Sequence, residues 1–172
     1  MTPHPRLKTP LCDLLGCEVP VMLAGMGGVS RWELAAAVAN AGGYAQLGMV
    51  REDPNLIARE IKALRAATSR PFAVNVIPSA TEPGLLDRQI GTCLELGVTD
   101  FSFFWDVVPG VIARVIAQGA RVIHQVGTLE SARMAEDAGA AVLVAQGVEG
   151  GGHVHGTVGM LQLVEAMARD AN

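Results

Sequence analysis

Gly97, Gly119 and Gly139 fall about twenty residues apart, each between the end of a helical pattern and the start of a short apolar run. A strand-helix unit recurring at that period restricts the chain to α/β folds, in which parallel strands are joined by crossover helices. The same alternation extends through the whole sequence. A first strand is expected at residues 19–23 (V-P-V-M-L), followed by the loop Ala24-Gly25-Met26-Gly27-Gly28. Ser30 and Glu33 have the spacing of a capping box for an Ala-rich helix over 32–40, which Gly42-Gly43 stops. A second strand follows at 44–48, then a helix opened by Asp53-Pro54 and running to about 67. Further strands are expected at 72–77, 99–104, 121–125 and 140–145, with helices near 85–96, 111–118, 129–138 (capped by Thr128) and 159–169.

Six such units in series suit either a doubly wound sheet or a TIM barrel. The dinucleotide fingerprint of the first should follow the first strand. Gly25-Met26-Gly27-Gly28-Val29-Ser30 supplies two of its glycines and puts Ser30 at the third, and beyond strand two only Glu52 is near as a ribose-binding acid. The other reading is α/β, of (β/α)8 TIM-barrel type, with about six βα units present and the last two missing. A closed barrel takes about 250 residues, so the 172 residues here are expected to form one domain with exposed first and last strands. Self-association through those edges is the expected remedy.

Half of the residues are hydrophobic and 17% are charged, enough apolar material for strands covered on both faces. A net charge of −4 and the lack of a basic run argue against nucleic acid or an anionic membrane as a partner. Residues 1–10 are polar and proline-rich with no apolar signal segment, and no run is long enough to span a bilayer, so a cytoplasmic location is expected. Cys12, Cys17 and Cys93 lack metal-site spacing. They read as buried or incidental thiols, although Cys12 and Cys17 are close enough to pair.

The chemistry concentrates where residues 142–145 (V-L-V-A) run into Gln146-Gly147-Val148-Glu149-Gly150-Gly151-Gly152-His153. Glycines without Cβ atoms let backbone approach a flat or phosphorylated ligand, and a histidine there can move a proton near neutral pH. His155 reads as a solvated neighbour. Glu149 serves either a ligand or the loop itself. Asn75, Gln125 and Gln146 are three amides placed at strand ends and expected at one barrel mouth, a set better suited to a neutral hydrogen-bonding ring than to a metal. Phe101 and Phe103 are expected in the core, with Phe104 and Trp105 lining the pocket or packing on a helix. Neither a nucleophile elbow nor a P-loop is present.

At these residues the sequence resembles the nitronate monooxygenase (2-nitropropane dioxygenase-like) family of FMN-dependent TIM barrels. Ala145 to His153 reads A-Q-G-V-E-G-G-G-H against the family's A-Q-G-x-E-A-G-G-H, the one change being Gly150 for alanine, expected to be sterically harmless. Ala24-Gly25-Met26-Gly27-Gly28 is similar to A-P-M-G-G, with Gly25 for proline. Residues 34–43 match L-A-A-A-V-S-N-A-G-G, and 71–75 match P-F-G-V-N. The resemblance implies that Asn75, Gln146 and Gly151 contact FMN with the Gly25-Met26 loop beside the flavin ring; Ala24, Gln125 and Gly152 complete the cofactor set. His153 would take the substrate's α-proton or pair with a nitronate anion, the flavin supplying electron transfer and reaction with O₂. Substrates would be a nitronate or nitroalkane and O₂. Trp105-Asp106-Val107-Val108-Pro109 stands where the family reads F-G-x-P, which opens the question of substrate preference. In such barrels the phosphate is held after strands seven and eight.

The same motifs occur in FMN-dependent enoyl-acyl-carrier reductases and NAD(P)H:quinone reductases. A non-catalytic barrel fragment lacking the FMN phosphate site is a further alternative, and a dinucleotide-binding sheet is the third.

Overall fold

A computed structural model describes residues 7–170; most of the proline-rich start at 1–10 lies outside the described residues. The elements in chain order are α1 (Pro10–Leu15), α2 (Trp32–Asn40), β1 (Ala45–Gly48), α3 (Pro54–Ala67), β2 (Phe72–Val76), a 3₁₀ turn (Pro78–Ala80), α4 (Pro83–Glu95), β3 (Asp100–Phe103), α5 (Pro109–Ala117), β4 (Arg121–Val126), α6 (Leu129–Asp137), β5 (Val142–Ala145) and α7 (Met160–Asp170). The chain divides into two compact units, residues 7–76 with Gly84–Val98, and Ile77–Pro83 with 99–170.

In the first unit β1 and β2 pair in parallel, with Gly48 opposite Asn75. The expected first strand is reduced to one parallel bridge, Met22 to Tyr44. Helix α2 has the expected bounds, but its cap is a correction. Ser30 does not cap it; Arg31 is the N-cap residue and makes no side-chain cap bond. The Trp32 N–H instead donates to the carboxylate of Glu60 on α3 at 3.0 Å, so a buried acid 28 positions away satisfies the helix start. Helix α3 begins as expected, the Asp53 side chain accepting from Asn55 N at 2.8 Å ahead of Pro54. Helix α1 was not expected, although Thr9-Pro10 opens it and Gly16, at φ +72°, closes it.

In the second unit β3, β4 and β5 form parallel pairs in chain order, Phe103 opposite His124 and His124 opposite Leu143. Phe101 and Phe103 are fully buried, as expected. Thr128 caps α6 reciprocally with Ser131, each side chain accepting from the other's backbone N–H. Asp100, with no exposure, is compensated by Arg121 Nε at 2.7 Å and by the Thr99 hydroxyl at 2.8 Å. Strand β5 is only half-buried along its length. Beside it α6 and α7 border a groove of about 420 Å³ lined by Leu143, Ala145, Val164 and Met167. All three cysteines are free thiols. Among the described residues, no helix is long and apolar enough to cross a membrane.

Candidate functional site

Within each unit, parallel strands deliver their following loops to one end of that unit's strands, where its candidate residues lie. In the first unit Ala24, Gly25 and Met26 form a tight loop organised by Ser30, which is fully buried. The Ser30 hydroxyl donates to the Ala24 carbonyl at 2.7 Å and accepts from Met26 N at 3.1 Å. Gly48 N donates to the Ser30 carbonyl at 2.9 Å, tying the loop to the end of β1. Glycine is needed at two places here. A Cβ at Gly25 would lie within 2.7 Å of the Asn75 side chain, and one at Gly48 within 2.9 Å of the Met26 backbone. Ala24, Gly25, Met26 and Asn75 are therefore brought together. Glu52, a candidate ribose acid in the alternative reading, is paired with Arg31 at 2.6 Å.

In the second unit Gln146, Gly151, Gly152 and His153 form one loop. Gln146 N continues the ladder by donating to Val126 O at 2.9 Å, so Gln125 of β4 lies beside the same strand end. The Gln146 side chain has two different ends. Its Nε2 donates to the His153 carbonyl at 3.0 Å and, at 3.4 Å, to that of Gly151, folding the glycine run back over the strand end. Its Oε1 is buried and has no partner among the described residues. One end of the amide thus builds the loop while the other keeps a free acceptor.

Glu149, open between two roles on sequence grounds, anchors the loop. Its Oε1 accepts from Met160 N at 2.9 Å, at the start of α7. Its own backbone N–H and that of Met160 hold the carboxyl below its ordinary pKa. The α7 N-terminus is thus occupied by a carboxylate from within the chain. Gly147 permits this, since a Cβ there would lie within 2.7 Å of the Met160 backbone. Gly150 qualifies the expectation of a harmless exchange: a Cβ would meet Gln146 Cγ at 3.0 Å, so alanine requires a small shift of that side chain.

His153 is exposed at the loop tip, its ring edge-on to Trp105 with centroids 6.2 Å apart. One expectation is corrected beside it. His155 is not a solvated neighbour: it is half-buried, lies 5.2 Å from the Trp105 ring and has Nε2 3.4 Å from Asp106 Oδ1. Trp105 packs against Phe104 and these two histidines. Sequence reasoning also passed over His124, which is 1% exposed on β4. Burial above all pushes its pKa down, with a further lowering from His155, while the Gln125 carbonyl opposes. Its Nδ1 lies 3.0 Å from that carbonyl, and Nε2 is buried without a partner. On a strand buried on both faces, alternation gives no sign of which side such a histidine takes.

The nitronate monooxygenase family model matches residues 8–89. A (3aS,4S,5R,7aS)-5-hydroxy-7a-methyl-1-oxo-octahydro-1H-indene-4-carboxyl-CoA dehydrogenase of Mycobacterium tuberculosis is 38% identical over 86% of this chain and 41% of its own length. Proteins named nitronate monooxygenase are among the other relatives. The structure of FabK from Thermotoga maritima superposes with a TM-score of 0.88 at 34% identity, covering 96% of this chain and 52% of that one. Nitroalkane oxidase from Streptomyces ansochromogenes gives 0.80 at 32% identity, covering 95% and 58%. Both are TIM barrels, which assigns the α/β alternation here to part of that architecture. The chain spans about half the length of the curated relatives it matches.

Proposed function

From the similarity of the chain to the nitronate monooxygenase family, we propose that it serves an FMN-dependent oxidation of alkyl nitronates by O₂. The carrying observation is the loop at 146–153, where Gln146 fixes the glycine run through Nε2 and keeps a buried, unpartnered Oε1 beside an exposed histidine. A flavin ring presents an N–H donor to such an acceptor, and the Cβ-free run admits a flat ring, so these residues fit the group. The residues proposed to hold it are Ala24, Gly25, Met26 and Asn75 of the first unit, and Gln125, Gln146, Gly151 and Gly152 of the second. When bound, FMN supplies the electron-transfer and O₂ chemistry.

His153 provides the acid/base group. With a nitroalkane, an imidazole nitrogen takes the proton from the α-carbon; the C–H electron pair moves into the C=N bond, and the charge goes to the nitro oxygens. With a preformed nitronate, the protonated ring pairs with that anion instead. Removing a positioned general base costs roughly 10²–10⁴ in rate, so His153→Ala is expected to lose turnover on nitroalkanes by that factor.

A second reading, dehydrogenation of a CoA thioester, is favoured by the 38% identity to the mycobacterial dehydrogenase. One assay separates the two. FMN-reconstituted protein is supplied with propyl nitronate in an oxygen electrode, and NAD(P)H oxidation is followed in parallel. O₂ uptake without NAD(P)H oxidation is the expected result. Rapid NAD(P)H oxidation would move the assignment to a reductase. Turnover of an acyl-CoA without nitronate activity would move it to the dehydrogenase, and a preparation that retains no flavin would remove the FMN reading altogether.

A further inference from the structure

The loop after β3 holds Trp105 at φ +77°, in the left-handed region that a bulky side chain rarely enters. Such a conformation costs on the order of 1–3 kcal/mol and persists only where surrounding contacts enforce it. Phe104 stands perpendicular to the indole at 5.3 Å. His155 lies against it at 5.2 Å, with Asp106 3.4 Å from the far nitrogen of that imidazole. The indole also lies near-perpendicular to the His153 ring, at 6.2 Å and 83°.

The loop that carries His153 gives its ring no comparable restraint. A Cβ at Gly151 or Gly152 would meet nothing within 4 Å, and Gly152 itself sits at φ +76°. The Gln146 bond goes to the His153 carbonyl, which fixes the backbone but not the imidazole. We propose that Trp105 is a positioning residue for His153: contact with the indole sets the imidazole's orientation, and the Asp106–His155 pair clamps the indole. The titratable groups facing this cluster are Asp106, His124, His153 and His155. This inference rests on the acid/base role proposed above for His153.

The test compares the wild-type chain with Trp105→Gly, Trp105→Phe and Asp106→Asn. Glycine accepts the positive φ, so Trp105→Gly removes the indole without adding backbone strain. The first readout needs no activity: the His153 ring resonances, assigned with His153→Gln. They should lose their ring-current displacement in Trp105→Gly, keep part of it in Trp105→Phe, and broaden in Asp106→Asn as the clamp loosens. Unchanged His153 resonances in a folded Trp105→Gly protein would overturn the proposal. So would resonances in Asp106→Asn that match wild type. Should Trp105→Gly fail to fold, Trp105→Phe and Asp106→Asn decide by the same criterion.

The second readout is kinetic. Misplacing a reacting group by a fraction of an ångström costs roughly tenfold or more, so Trp105→Gly should lower kcat by about that factor while KM changes little. Adding His153→Ala should cost no more than His153→Ala alone, because the indole acts through that ring. Additive losses would refute the positioning role. A wild-type protein without nitronate turnover would count against the proposed function and leave the resonance test to decide this inference.

Discussion

Gly25→Ala measures how tightly the first-unit loop is built. The added methyl would come within 2.7 Å of the Asn75 Cβ, Cγ and Oδ1 atoms. Ordinary contact between such atoms is about 3.5–4.0 Å, so something must move by about 1 Å. Strand β2 is the stiffer side, because Asn75 pairs with Gly48 and its carbonyl accepts from Met49 N at 2.9 Å. The loop must give way, and it is held through the Ser30 bonds to Ala24 and Met26 at 2.7 and 3.1 Å. Loss of two such bonds at about 1 kcal/mol each, or overpacking at about 1–3 kcal/mol, gives a destabilisation of about 2–3 kcal/mol. Urea unfolding followed by the fluorescence of Trp32, in the same unit, would show a midpoint lower by about 1 M for a slope near 2–3 kcal/mol/M. Gly27→Ala is the matched control: nothing lies within 4 Å of its Cβ position, so its change should stay within about 0.5 kcal/mol. A Gly25→Ala midpoint equal to wild type, or a Gly27→Ala loss as large, would refute the reasoning.

Three further outcomes follow from the same geometry. Gly150→Ala, which installs the family residue, pushes on Gln146 Cγ from 3.0 Å and should cost less than about 1 kcal/mol while moving the Gln146 side-chain amide resonances. Unmoved resonances would contradict that contact. Arg121→Met strips the buried Asp100 carboxylate of its cationic partner and should destabilise by about 2–4 kcal/mol in chemical denaturation, below the full buried-pair value because Arg121 is partly exposed; a change under 1 kcal/mol would mean that other donors hold the charge. The Glu149 carboxyl has its pKa depressed in the folded state, so its contribution is present above the unfolded value near 4.5 and is lost as pH falls through the folded one. The protection factor of the Met160 amide, which corrects for the intrinsic slowing of exchange in acid, should therefore fall on acidification in wild type, whereas in Glu149→Gln it should already be low at pH 7 and show no such acid step.

What the sequence disclosed and what it concealed divide by range. Helix α3 and the start of α6 were legible because their signals are local: Asp53 before Pro54, and Thr128 three residues from Ser131. The capping box at Ser30 failed on the same kind of signal. The Ala24 carbonyl competes for the Ser30 hydroxyl, and Glu60 reaches the helix start from another element. Residues 19–23 have strand composition, yet only Met22 makes a bridge, which periodicity cannot reveal. The second-unit cluster was hidden for the same reason. Trp105 and His155 are fifty positions apart in sequence, and no local pattern foretells that a tryptophan will adopt a positive φ to reach them.

A motif that names a family does not say which of its residues face the ligand, and the loop at 145–153 shows why the two questions separate. Gly147 is required by the Met160 backbone, and Glu149 by the Met160 N–H that it accepts. Gln146 Nε2 is spent on the His153 carbonyl. These groups satisfy the demand that buried or terminal polar groups find partners within the chain itself. The groups that this closed accounting leaves over are the Gln146 Oε1 and the exposed His153 ring. Residues that the loop needs for itself should cost stability when changed, whereas those left over should cost binding or turnover at unchanged stability. Gly147→Ala and His153→Gln stand at the two ends of that division.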